Sequence, residues 1–203
     1  MEFPMLDFEK KLFESLKETI QTKQKTAELC SAEIEKSAQM LADTLRNGGK
    51  ILICGNGGSA ADSQHIAAEL VVRLRSHINR PALAAIALTV DSSILTAGGN
   101  DIGFDNIFAR QVEALARPGD ILIAISTSGN SENVLRAAQI ARKMGVRTIG
   151  LLGKDGGKIK NECDLSVIVP SANTARIQET HIFIAHLWCE AIEELLFPEF
   201  FQT

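Results

Sequence analysis

From Lys50 onward the chain alternates two kinds of segment, and this alternation constrains its fold more than any other feature. Short apolar runs, Ile51–Cys54, Ala82–Leu88, Ile121–Ile125, Thr148–Leu152 and Leu165–Val169, are bounded by Gly, Ser, Asn and Asp. Between them lie helix-period stretches at Ala60–Leu74, Phe104–Ala116 and Glu132–Met144, and a short turn at Lys158–Asn161. A long helix at Thr174–Leu196 closes the chain. Strands alternating with helices build βαβ units, and continuously apolar strands belong to a parallel sheet covered on both faces. The pattern predicts an α/β fold: a doubly wound five-stranded parallel sheet in the order 2-1-3-4-5. Its ligand crevice opens at the carboxyl ends of strands one and three, where the winding reverses.

Residues 1–47 read as a helical extension ahead of this core, which spans 50–196. Leu12, Phe13, Leu16 and Ile20 recur at three- and four-residue spacing, Leu29, Ala32, Ala38, Leu41 and Leu45 continue the pattern, and Asn47-Gly48-Gly49 stops it. Such an extension either packs on a partner subunit or covers its own sheet. With 203 residues, 45% of them apolar, the chain suffices for one domain, 1–203, with its own core. Its net charge of -4 supplies no basic field for binding nucleic acid. No apolar run reaches the roughly 18 residues of a membrane span, and the amphipathic N-terminus does not read as a secretory signal. Cys30, Cys54, Cys163 and Cys189 form no CxxC pair and read as reduced thiols. A cytoplasmic protein is the expectation.

Two loops at the predicted crevice carry chemistry. Strand one runs into Cys54-Gly55-Asn56-Gly57-Gly58-Ser59-Ala60, and strand three into Ser126-Thr127-Ser128-Gly129-Asn130-Ser131, each followed by a helix. Small residues, hydroxyls and unpaired backbone N–H groups at a helix N-terminus hold an oxyanion such as phosphate. Gly55, Gly57 and Ala60 also satisfy a GxGxxG/A dinucleotide pattern, with Asp91 beyond the usual spacing of its ribose-binding acid. Helix capping alone accounts for Ser131 with Glu132, but poorly for Ser126, Thr127 and Ser128 together.

The helix after the first loop carries Asp62, Gln64, His65 and Glu69, with His65 and Glu69 four apart on one face. The terminal helix carries Gln178, Glu179, His181, His186 and Glu190. Imidazole and carboxylate suit zinc. Gln178 and His186, eight residues apart, are separated by about 12 Å along a regular helix. They reach one ion from opposite sides or across a helix irregularity, or they serve different sites through a subunit interface.

The segments GNGGSAADSQHIAAELVVR, DSSILTAGGND, ISTSGNSENVLRAAQIARKMG, LLGKDGG and ARIQETHIFIAH resemble the sugar isomerase (SIS) family. Within it they resemble the branch that interconverts sedoheptulose 7-phosphate and D-glycero-D-manno-heptose 7-phosphate, the first step toward nucleotide-activated heptose. The resemblance implies that Asn56, Gly57, Gly58, Ser59, Ser126, Thr127, Ser128 and Ser131 hold the substrate's phosphate and hydroxyls. Asp91 and Gln178 match further substrate contacts. His65, Glu69, Gln178 and His186 match the positions that bind one zinc ion per subunit, and Glu69 and His186 match the acid–base pair. A homotetramer with active sites at subunit contacts is likewise implied. Ala175 stands where some members carry an Asp, so no contact made by that acid carries over. Aldose–ketose isomerisation needs a base at carbon and an acid at oxygen; Glu69 is the candidate base and His186 the candidate acid. The alternatives are a non-enzymatic SIS adapter that binds the replication initiator, a sugar-phosphate-sensing regulator, and an isomerase of another phosphosugar.

Overall fold

A computed structural model describes residues 7–201, so residues 1–6 of the expected N-terminal helix lie outside the described residues. Five strands, β1 Ile51–Cys54, β2 Ala85–Ala87, β3 Ile121–Ser126, β4 Arg147–Gly153 and β5 Leu165–Val169, form one sheet in the order β2-β1-β3-β4-β5. Every pairing is parallel. The expected doubly wound topology is the observed one.

The strands are apolar throughout because each face has its own helical cover. Ile51, Ile53, Ile121, Ile123, Ile125, Ile149, Leu151, Val167 and Val169 point to one face. There they meet α1 (Phe8–Arg46), α2 (Gly58–Val71) and α6 (Thr174–Leu196) through Leu41, Ala42, Ile66, Leu70, Ile184 and Trp188. Leu52, Cys54, Leu122, Ala124 and Leu152 point to the other face, against α4 (Ile107–Leu115) and α5 (Glu132–Lys143). Successive strand side chains alternate sides, so each strand feeds both cores.

Helix α1 is 39 residues long, about 58 Å at 1.5 Å per residue. Its later half packs on β5 and α6, and the Trp188 indole donates to the Ile34 carbonyl oxygen at 3.1 Å. Its earlier half leaves Phe8, Leu12, Phe13, Leu16 and Ile20 each at least 47% exposed.

Three expectations need correction. The second strand is three residues rather than seven; it lies at the sheet's edge, paired only to β1, and the chain on either side leaves the ladder. Helix α2 begins two residues earlier and ends three residues earlier than expected. Phe104–Ala116 is a 3-10 turn, Phe104–Asn106, followed by α4. A further helix, α3 (Ser92–Asp101), has no counterpart in the periodicity, because Gly98 and Gly99 in its last turn read as a loop. All four cysteines are free thiols, and burial pushes Cys189 up to about 12, so it stays protonated and inert. Among the described residues no helix is long and apolar enough to cross a membrane.

Candidate active site

The loop after β1 turns on Gly57, whose φ of 55° is a conformation open to glycine at little cost. Gly57 is the N-cap residue of α2, and no side chain caps that helix. The N-cap of α5, Ser131, makes no capping bond either: its hydroxyl lies 3.0 Å from the Ser126 hydroxyl. The helix capping that would account for Ser131 without a ligand is therefore not one its side chain performs. By contrast, Asp7, Asp91 and Asn173 cap α1, α3 and α6 with their side chains. The two helices at the switch point thus keep their first-turn N–H groups free of side-chain caps, which suits an anion.

These two N-termini are joined to each other. The Asn56 and Asn133 amides exchange reciprocal hydrogen bonds of 2.8 and 2.9 Å across the crevice. Asn133 is buried and was not a sequence candidate; an amide two residues into an amphipathic helix carries no distinguishing signal. Ser126 Oγ accepts from Gly129 N–H at 3.1 Å, and Ser128 Oγ accepts from Asn130 N–H at 3.2 Å. Thr127 makes no side-chain hydrogen bond among the described residues. Behind the loop, Ile159 N–H donates to the Gly129 carbonyl and Lys158 N–H to the Asn130 side chain, so residues 156–159 buttress it. Ser59 is buried at the start of α2. Asp91 is exposed and accepts from Ile94 N–H at 2.9 Å, a cap on α3.

Further along α2 the expected proton-transfer groups converge. His65 Nε2 lies 2.9 Å from His186 Nε2 and 3.4 Å from Glu69 Oε1. Gln178 does not join them. A Cβ placed on Gly58 would collide with its Nε2, so the Gln178 amide sits at the first turn of α2. The contacts Gly58–Gln178 and His65–His186, seven residues apart on α2 and eight on α6, show two helices running parallel and nearly in register. One chain therefore unites three of the four expected zinc positions. Among the described residues, no three His, Cys, Asp or Glu side chains form a ready-made metal cage. Asp62, one turn before His65, has a carboxyl pushed up to about 6 by burial, opposed by the His65 charge.

A family model described as SIS domain matches residues 13–153. A phosphoheptose isomerase from Chlorobaculum parvum is 53% identical over 190 residues, 93% of this chain and 91% of that protein. The chain belongs to the SIS domain family, in its phosphoheptose isomerase branch. Solved structures in that branch are close as well. The phosphoheptose isomerase of Neisseria gonorrhoeae is 44% identical with a TM-score of 0.87, covering 92% of this chain and 99% of that one. The one from Francisella tularensis is 40% identical with a TM-score of 0.88, covering 94% and 100%. The SIS assignment rests on nearly the whole length of these relatives, the helical extension included.

Proposed function

We propose that this chain is an aldose–ketose isomerase that converts sedoheptulose 7-phosphate to D-glycero-D-manno-heptose 7-phosphate, at sites assembled between subunits. One observation carries the reading: two bridged, uncapped helix N-termini at the crevice, and a separate His65–Glu69–His186 cluster farther down α2. The 11 residues from Gly58 to Glu69 span about 16 Å of helix. A seven-carbon sugar with its terminal phosphate reaches roughly 10 Å at about 1.5 Å per bond. The Glu69 side chain leans back toward the helix N-terminus and covers part of that span, so loops and carboxylate bracket a substrate of this length, and a neighbouring subunit would close the crevice around it. The apolar stripe on α1 supports association into the expected tetramer. So does a groove of about 560 Å³ between α1 and α6, lined by Ile34, Ala38, Phe183, Leu187, Trp188 and Leu195.

The chemistry then divides by location. First-turn N–H groups of α2 and α5, with the Thr127 and Ser128 hydroxyls, hold the phosphate, and its binding energy orients C1 and C2. Glu69 removes a proton from C1 of the ketose. The electron pair left behind forms the C1–C2 double bond of the enediol as O2 gains a proton from His186. Returning a proton to C2, while O1 loses its own, yields the aldose; no redox cofactor is consumed. Zinc suits two imidazoles and a carboxylate; His65, Glu69 and His186 would hold it, with Gln178 supplied from elsewhere in the assembly. When bound, the metal supplies electrostatic stabilisation to the enediolate oxygens.

Incubation of the purified protein with sedoheptulose 7-phosphate in deuterated water, followed by NMR, tests the reading. An aldoheptose 7-phosphate carrying deuterium at C2 is expected, whereas unchanged sugar in the presence of folded oligomer would overturn the heptose assignment. Metal analysis of the purified protein, with and without chelation, tests zinc separately: one zinc per subunit is expected.

A further inference from the structure

Arg80 is the only buried cation among the described residues, and its side chain is 1% exposed. Its Nε donates to Glu193 Oε1 at 2.9 Å, and its Nη1 to the carbonyl oxygens of Leu70 and Pro81, both at 3.0 Å. Its Nη2 donates to the carbonyl oxygen of Glu69 at 2.7 Å. Glu193 is buried too.

Each of these partners has a position that matters. Helix α2 ends at Val71, so Glu69 stands in its last turn, where carbonyl groups lack helical partners and fraying begins. Arg80 satisfies two of those carbonyls and brings positive charge to the negative end of the helix. Glu193 lies seven residues beyond His186 on α6, two turns along the same face. The guanidinium therefore joins the backbone of Glu69 to the face of α6 that carries His186. The His65–His186 contact closes the same helix pair one turn earlier. A buried ion pair is a poor source of net stability, since apolar replacements of similar volume are often neutral or better. What such a pair supplies here is direction: a planar fork whose donors fix four acceptors at once, three carbonyls and a carboxylate.

We propose that Arg80 is a positioning residue for the isomerisation. Through Glu193 and the carbonyls of Glu69 and Leu70 it fixes the last turn of α2 against α6, and so sets where the Glu69 carboxylate stands relative to His186. This inference rests on the assignment of proton transfer to Glu69 and His186.

The test is the double variant Arg80→Met with Glu193→Leu, which removes both charges and strands neither. Its thermal midpoint is expected to fall, because the Glu69 and Pro81 carbonyls lose their donor, while kcat per folded protein falls about 10-fold or more through loss of alignment. KM should change by less than about twofold, because the phosphate loops lie at the other end of α2. Amide hydrogen exchange at residues 69–72 should accelerate, a readout independent of turnover. Arg80→Lys keeps the charge without the fork and should show an intermediate loss of kcat. A folded double variant with wild-type kcat overturns the proposal, as does a loss of activity that only tracks loss of folded protein. If the double variant does not fold, wild-type kcat in Arg80→Lys overturns it equally. An inactive wild-type chain would instead sink the functional reading, leaving hydrogen exchange to decide on the clamp.

Discussion

His65 and His186 are 121 positions apart in sequence, yet their Nε2 atoms lie 2.9 Å apart. A hydrogen bond at that separation requires one of the two ring nitrogens to donate and the other to accept. Glu69 stands 3.4 Å from the same His65 nitrogen. The cluster exists because α2 and α6 run parallel on one face of the sheet, not because of any local motif.

Replacing Glu69 with Gln preserves shape and removes the basic oxygen. Turnover is expected to fall about 10²–10⁴-fold, the usual contribution of a positioned acid–base group. Circular dichroism and the oligomeric mass should be unchanged. An active Glu69→Gln enzyme would take the base role away from this residue.

The hydroxyls of the second loop have different duties, and kinetics should separate them. Among the described residues Thr127 has no side-chain partner, so Thr127→Ala should raise KM for the phosphosugar and leave thermal stability in place. Ser126 is buried and bonded to Gly129 N–H and the Ser131 hydroxyl. Ser126→Ala should cost about 1–2 kcal/mol in denaturant unfolding. Equal effects at both positions would mean that the loop acts as one structural unit.

Gly58 is a probe of Gln178. An added methyl would meet the end of that flexible side chain, which can swing away. Gly58→Ala should therefore fold normally and weaken substrate or zinc binding by displacing the amide. Unaltered KM and metal content would leave Gln178 without a functional part.

Acid sensitivity should report on His181. Its buried Nε2–H donates to the Leu152 carbonyl oxygen at 2.9 Å, and burial pushes its pKa down to about 4. An unfolded histidine takes its proton near pH 6.5, so the unfolded state binds more protons between about pH 6.5 and 4. The His181 contribution to stability is complete above that window and is lost as pH falls through it. Asp62, raised from 3.8 to about 6, acts in the opposite sense over its own range. Urea unfolding of wild type against His181→Gln isolates the histidine: the difference in slope should vanish above about pH 7.

Mixed oligomers test the proposed intersubunit site directly. Chains carrying Glu69→Gln and chains carrying Thr127→Asp, which repels phosphate, should each be inactive alone. Co-assembled from a mixture, they should regain turnover where an intact loop faces an intact cluster. No recovery in verified mixed tetramers would place both halves of the site in one chain.

Much of this molecule could be read before its structure. The strand order follows from continuous apolar runs separated by helical periods, because a parallel sheet must be covered on both faces. The switch-point loops follow from that order. Helix α3 could not be read, since Gly98 and Gly99 hide its periodicity and only the Asp91 cap announces it. Asn133 and Arg80 were invisible for a different reason: their partners, Asn56 and the end of α2, meet them only after distant segments pack.

The amino-acid sequence by itself thus determined the layers, the winding and the residue types at the crevice, all of which depend on local periodicity and turn chemistry. Tertiary structure decided which of those residues act together. It brought His186 to His65 and Gln178 to the first turn of α2. Those are distances between rigid elements, and only packing sets them.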